Sequence, residues 1–284
     1  MKQILLIGKN GQVGWELQRT LATLGHVTAL DFPEIDLANA DALRATLRSH
    51  KANIIVNAAA YTAVDLAEKE TERAHAINAT APGIMAEEAR KYGALLVHYS
   101  TEYVFDGSGT APFCETTPTG PLNCYGHSKL AGDQAIQAVD GRHLILRTSW
   151  VYGLRGKNFL LTMLRLAQER EELRVVADQI GAPTWSRMIA EATAQILSGK
   201  NDTQGLFHLT SSGATSWCGF TEAILEMTQN QRTRHPRLTG IPTVEYPLPA
   251  ARPLNSRLSC EMLQRETGIA LPHWREALGL CLAQ

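Results

Sequence analysis

The chain has 284 residues, 44% of them hydrophobic, and a formal net charge of −1. That is enough apolar material for a sizeable core in one or two domains, and too balanced a charge for bulk attraction to nucleic acid. Five cysteines, odd in number and without a Cys-x-x-Cys pair, argue against a zinc site and a disulfide framework and read as packing residues in a reducing cytoplasm.

Met1-Lys2 leads straight into Ile4 to Ile7, a run too short for a signal peptide or a membrane span, so neither secretion nor a membrane anchor is expected. Ile4 to Ile7 reads instead as a strand that stops at Gly8. The spacing Gly8-x-x-Gly11-x-x-Gly14 then opens a helical pattern through Trp15, Leu17, Leu21 and Leu24. In a strand-turn-helix unit such glycines serve a tight turn, a close backbone approach to a pyrophosphate, and helix-on-strand packing. A second strand, 26–30, ends in Asp31, whose carboxylate can accept hydrogen bonds from an adenosine ribose. A helix over 41–49 and a third strand over 53–56 follow. Small residues from Asn57 to Ala60, followed by Tyr61 and Thr62, leave room for a cofactor at that strand end. The pattern from Glu72 to Tyr92 predicts one long helix with Asn78 inside it, where a polar side chain needs a partner.

A fourth strand, Leu95 to Tyr99, leads into Ser100-Thr101-Glu102, and a helix beyond it carries Tyr125 and Lys129. Residues i and i+4 share a helix face, so the lysine ammonium can sit beside the phenol and favour its ionised form. A phenol near pKa ~10 is a poor acid at neutral pH, and lowering that value makes it a usable donor to a carbonyl. Thr101, at the strand end, is placed to hydrogen-bond the same carbonyl oxygen. A fifth strand runs from Arg142 to Thr148. Strands alternating with helices at this spacing predict an α/β fold with a Rossmann-type, doubly wound parallel sheet over residues 1–150.

Beyond Trp150 the elements shorten. A helix over 158–168, a strand over 173–176, an ordered loop over 178–184 and a helix through Leu197 are expected, with 184–211 returning to the first domain through a strand at 205–210. The tail from about Ser216 reads as a helix, a Pro-rich extended piece over 241–253 and two short helices. No repeat or flexible linker appears, so 151–284 is expected to form a smaller, interleaved substrate-binding lobe.

Six blocks, in order, resemble the dTDP-4-dehydrorhamnose reductase family within the extended short-chain dehydrogenase/reductases. They are Gly8 to Gly14, Asn57 to Asp65, Tyr99 to Gly107, Arg147 to Tyr152, Asp178 to Thr184 and Arg252 to Leu258. The resemblance implies NADPH- or NADH-dependent reduction of a 4-keto dTDP-sugar to dTDP-L-rhamnose for cell-surface polysaccharide. It makes Thr101, Tyr125 and Lys129 the catalytic set. It also implies a dinucleotide site formed by Gly8, Asn10, Gly11, Gln12, Val13 and Gly14 with Asp31, Asp36 and Leu37, flanked by Ala59, Ala60, Tyr61, Thr62 and Tyr99, with Lys129 on the nicotinamide ribose. Glu102 and Trp150 are expected to face the sugar nucleotide, with plain core packing as the equal alternative for Trp150, and Arg252 with Asn255 its diphosphate. The C4 epimer, a 6-deoxy-talose, is the alternative product. A non-catalytic NADP-binding subunit of the same fold is the alternative function, against which the intact Thr101, Tyr125 and Lys129 speak.

Two positions depart from the family pattern. Glu102 stands where the family usually has the shorter Asp. Arg187 stands where members described as metal-bridged dimers carry a carboxylate, and a guanidinium offers a cation no lone pair. Glu16 and Glu276 are then expected to form ion pairs with Arg187. No metal requirement is expected, and the chain is expected to be a monomer or a metal-independent homodimer.

Overall fold

The computed structural model describes residues 1–199 and 202–283. Its centre is a sheet of six parallel strands, β1 (Lys2–Ile7), β2 (Gly25–Leu30), β3 (Ile54–Asn57), β4 (Leu95–Thr101), β5 (His143–Thr148) and β6 (Gly205–His208), in spatial order β6-β5-β4-β3-β1-β2. The chain moves outward from β1 to β2 and then crosses to β3 on the other side. The loops after β1 and β3 therefore open a crevice at a topological switch point. Every residue of β4 is buried, as expected of a central strand covered on both faces.

Helices α1 (Gln12–Thr20), α2 (Ala40–His50), α3 (Ala81–Lys91) and α4 (Cys124–Ala138) follow β1, β2, β3 and β4. One apolar layer joins Leu17 and Leu21 to Ile189 and Ile196 across Ile4, Val56 and Val97; the other joins Leu43 and Leu47 to Ile84 and Met85 across Leu5, Ile55 and Leu96. The side chains of each strand alternate between these two layers.

The helix expected over 72–92 is present as one helical run over 71–91, with a π bulge inside it. Thr71–His75 is α-helical, Ala76–Thr80 widens into a π turn, and α3 begins at Ala81. Pro82 supplies the reason: it has no N–H for the Asn78 carbonyl four residues back, and its ring clashes with that carbonyl in a regular helix. The freed segment packs closely on α4, where a Cβ on Gly132 would lie 2.1 Å from the Asn78 oxygen.

A third cluster lies beyond β5, built from Tyr152, Leu160, Met163, Trp185, Phe220, Trp274 and Leu278. Helices Phe159–Glu169, Trp217–Met227 and Trp274–Leu282 supply it, and strand Glu172–Val176 pairs with Arg237–Ile241 beside it. The second of those strands falls just before the stretch expected to be extended. The loop over 178–184 carries two short strands, Ile180–Gly181 and Thr184–Trp185, the first lying between Thr215–Ser216 and Asn255–Ser256. Gly205–His208 returns to the central sheet beside β5. Among the described residues no helix is long and apolar enough to cross a membrane.

Candidate active site

A cavity of about 560 Å³ lies over the C-terminal ends of β1, β3 and β4. Its walls include Gly8, Asn10, Gly11, Gln12, Val13, Asp31, Ala59, Ala60, Thr62, Tyr99, Tyr125 and Lys129. Gly8 has φ +94°, and a Cβ there would meet Ala59 N at 2.6 Å. A Cβ on Gly14 would stand 1.9 Å from the Gly8 oxygen, so that glycine lets α1 pack against the turn. Gly11 is the N-cap of α1 without a side-chain cap, and the first turn holds no acidic residue. Backbone N–H groups at the start of a nine-residue helix thus face the cavity, an arrangement suited to a pyrophosphate. Thr148 adds a buried hydroxyl without a hydrogen-bond partner to the same wall. These features fit a dinucleotide.

Asp31 accepts from the Asn10 and Phe32 N–H groups, both at 2.8 Å, while Lys9 on the glycine turn reaches Glu34 at 2.5 Å. Asp36 and Leu37 are placed differently from expectation. Asp36 accepts from Ala38 N within its own turn, and Leu37 is buried in the apolar layer beneath β1, so neither side chain lines the cavity. The Tyr61 hydroxyl likewise turns to Glu70, although the Tyr61 backbone is held at both N–H and carbonyl by Asn78. Asn78 also donates to Ser128 on α4 and so fixes the Ala59–Thr62 loop against the helix that carries Tyr125.

Tyr125 and Lys129 are presented by α4, whose N-cap Asn123 accepts from Gly126 N at 2.8 Å. A Cβ on Gly126 would lie 2.3 Å from the Tyr103 oxygen, which is how closely the helix sits on the turn after Thr101. The i+4 spacing brings both residues to one cavity but does not pair them. Lys129 Nζ donates to the Tyr99 carbonyl at 2.7 Å and lies 3.1 Å from His98 Nε2, and among the described residues it makes no hydrogen bond to the phenol. The phenol is accordingly not eased toward ionisation as the spacing implied. Burial raises its pKa, the neighbouring Glu102 raises it further, and the Thr101 hydroxyl lowers it. Burial pulls Lys129 down to about 8, with Asp133 opposing.

Beneath this pair lies a polar cluster that the sequence did not disclose. The Asn57 oxygen accepts from Ala59 N, and its amide nitrogen lies 3.0 Å from His98 Nδ1, while the other ring nitrogen of His98 faces Lys129. Asp133, one turn past Lys129, accepts from Ser100 Oγ at 2.9 Å and from Arg147 Nε at 3.0 Å, all three buried. The i+4 step from Lys129 to Asp133 was the available signal. His98, Ser100 and Arg147 become visible only once β3, β4 and β5 are in register, Asn57 opposite His98 and Ser100 opposite Arg147.

Thr101 and Glu102 follow Ser100, which lines the cavity, and are themselves buried beside Tyr125. Thr101 Oγ1 is 2.7 Å from Glu102 Oε2 and accepts from Tyr103 N at 3.2 Å. Glu102 is 4% exposed and turned onto Thr101, and burial lifts its carboxyl to about 7, against the lowering hydrogen bond from Thr101. The Tyr103 ring meets Tyr125 edge-on at 5.5 Å between centroids and opens a second cavity of about 350 Å³, lined also by Phe159, Gln179, Trp217, Tyr246 and Arg252.

Arg252 reaches this second cavity already paired, donating to Asp65 at 2.8 Å and to the Ala250 carbonyl. Asn255 does not reach it. Its amide donates to the Ala111 and Ser108 carbonyls and accepts from Arg257, so it braces the loop after Gly107 and has no group left for a diphosphate. Trp150 follows its packing alternative: with φ +47° its ring stacks on Trp217 at 3.5 Å, close against Gly181, and Trp217 lines the second cavity. Arg187 pairs with Glu191 on its own helix at 2.8 Å rather than with Glu276, and Glu16 acts on it only as a nearby charge. A guanidinium held there does not fit a magnesium site.

A parallel sheet with a dinucleotide cradle at its switch point, and a Thr, Tyr and Lys beside it, defines a nicotinamide-dependent oxidoreductase of the extended short-chain type. Residues 1–284 match the family model described as "RmlD substrate binding domain". A dTDP-4-dehydrorhamnose reductase of Burkholderia thailandensis is 49% identical over 99% of this chain and 98% of its own, and one of Escherichia coli K12 is 48% identical over 96% and 94%. Among solved structures, a dTDP-4-dehydrorhamnose reductase from Clostridium acetobutylicum superposes with a TM-score of 0.94 at 35% identity, covering 99% of this chain and 98% of that one. A Bacillus anthracis dTDP-4-dehydrorhamnose reductase in complex with NADP gives 0.93 at 34%, covering 99% of both. The chain belongs to the dTDP-4-dehydrorhamnose reductase family.

Proposed function

We propose that this chain reduces the 4-keto group of dTDP-4-dehydro-6-deoxy-L-mannose to give dTDP-L-rhamnose for polysaccharide synthesis. The observation that carries the reading is the meeting of Tyr125 and Lys129 in a dinucleotide cradle, with Thr101 against the Tyr125 phenol and a second cavity on the far side of Tyr103.

When bound, the nicotinamide supplies the hydride that reaches sugar C4. Tyr125 donates the proton to the C4 oxygen, Thr101 orients that oxygen by a hydrogen bond, and Lys129 fixes the nicotinamide ribose at the wall formed by Tyr99. The α1 N-terminus receives the pyrophosphate. Tyr103, Phe159 and Trp217 offer apolar surface for the base of the dTDP group, and Arg252 a fork of donors for its phosphates. NMR of the product made from dTDP-4-dehydro-L-rhamnose and NADPH decides the configuration at C4. A talo signal would replace the rhamnose assignment.

The cofactor site supports use of both NADH and NADPH. Asp31 suits ribose hydroxyls and repels a 2′-phosphate, while Lys9 on the same rim exchanges Glu34 for that phosphate. Asp31→Ala is expected to shift the ratio of kcat/KM toward NADPH, and Lys9→Ala toward NADH, each by several-fold, on the order of 1 kcal/mol. A wild type absolutely specific for one cofactor would refute dual use.

A further inference from the structure

The Thr101 hydroxyl has one hydrogen and two lone pairs, and more groups surround it than it can serve at once. Tyr103 N–H occupies one lone pair, Glu102 Oε2 stands at 2.7 Å, and the Tyr125 phenol borders the same oxygen. If Glu102 is ionised, the threonine hydrogen must point at the carboxylate. Thr101 is then an acceptor only, and the donor nearest its remaining lone pair is Tyr125, whose hydrogen is drawn away from any carbonyl in the cavity. If Glu102 is neutral, its own O–H fills that lone pair. The Thr101 hydrogen is then free for a carbonyl oxygen, and so is the phenol hydrogen.

The surroundings favour the neutral carboxyl. Glu102 is buried, and among the described residues no Lys, Arg or His lies in ion-pair contact with it. The groups acting around it are the Tyr103 and Tyr125 phenols, with Arg252 and Asp65 acting on Tyr103 from the second cavity and Asp133 on Tyr125 from α4. An unpaired carboxylate in such a place loses its hydration without compensation.

We propose that Glu102 is a positioning residue working through Thr101: only with its carboxyl protonated does Thr101 present its hydroxyl hydrogen to the sugar carbonyl. The inference rests on the reductase reading above and assigns that reading a further residue. Glu102 gives up no proton in turnover. Hydride arrives at C4 from the cofactor, the proton on the C4 oxygen comes from Tyr125, and the Glu102 hydrogen stays between the carboxyl and Thr101.

The sign of the pH dependence follows from the carboxyl standing at about 7. Turnover is full below that value and falls as pH rises through it. Two measurements test the proposal. Infrared titration of the wild-type protein, without substrate, is expected to show a protonated-carboxyl band that disappears through neutral pH and is missing in Glu102→Gln. In the pH profile of kcat, wild type is expected to fall with a midpoint near 7, whereas Glu102→Gln, whose amide N–H₂ donates to Thr101 at every pH, holds its kcat through that midpoint and falls only with the later titration of Lys129 near 8. Thr101→Val is low throughout. The proposal is overturned if Glu102→Gln falls with pH as wild type does, if it is as inactive as Thr101→Val throughout, or if the band is missing from wild type at low pH. The infrared result does not need turnover, so a protein that fails to reduce the keto sugar refutes the reductase reading separately.

Discussion

The two cavities that meet at Tyr103 and Tyr125 are made of different material. The first is walled by strand ends and backbone, and held from below by buried polar pairs: Asn57 with His98, Asn78 with Ser128, and Asp133 with Ser100 and Arg147. The second is walled by long side chains on loops and helices of the smaller lobe, where Tyr246 and Leu248 are exposed and the polar pairs, such as Arg174 with Glu245, lie at the surface. A rigid wall suits the cofactor and the proton donor, whose alignment sets the rate. An adaptable wall suits a nucleotide that must enter and leave. Errors in the first cavity should therefore appear in kcat or in folding, and errors in the second in KM.

The largest effect is expected from Tyr125→Phe, which keeps the ring against Tyr103 and removes the proton donor. A kcat reduced ~10²–10⁴-fold with little change in KM is predicted. Near-normal kcat would remove Tyr125 from the mechanism. Next comes Asp133→Ala, which leaves the Arg147 guanidinium buried without its carboxylate; breaking such a pair costs about 3–5 kcal/mol. Urea unfolding measures it, and a loss well below ~1 kcal/mol would mean that the cluster does not brace the first cavity.

Arg252→Ala probes the second cavity. It removes a guanidinium shared with Asp65, and a rise of ~10-fold or more in the KM for the sugar nucleotide is expected, about 1.4 kcal/mol, with kcat nearly unchanged. An unchanged KM would assign Arg252 to its ion pair alone. The smallest effect is expected from chelation. With Arg187 held by Glu191, EDTA and added magnesium should leave both activity and gel-filtration volume where they were. Loss of turnover, or a smaller species, would reinstate a metal.

The first cavity was the more legible in the sequence because its parts are local. Gly8 and Gly14 sit at fixed steps from a β run, and Tyr125 and Lys129 share one helix face, so spacing alone gathers them. What spacing could not show is which partner each side chain takes. Lys129 chose the Tyr99 carbonyl and His98 over the phenol because β4 runs directly beneath it, a fact of register rather than of helix periodicity. The π turn at Asn78 required knowing that α4 approaches it at Gly132.

In the second cavity the sequence named residues of suitable chemistry whose side chains are used elsewhere. The Asn255 amide is consumed by the loop carbonyls of Ser108 and Ala111, more than a hundred residues away in the chain. Trp150 leaves β5 with a positive φ and lies flat on Trp217. Asp36 and Leu37 were assigned by position in a motif, and the turn and the core took them.

The central claim is that a nicotinamide cofactor held in the first cavity would supply hydride to a sugar carbon beside Tyr125. Incubating the protein with dTDP-4-dehydro-L-rhamnose and NADPH deuterated at the transferring C4 position, followed by proton NMR of the sugar, tests it directly. The predicted result is one sugar reduced per cofactor oxidised, with deuterium at C4 of a rhamnose. A sugar left as the ketone, or one reduced without deuterium at C4, would contradict it.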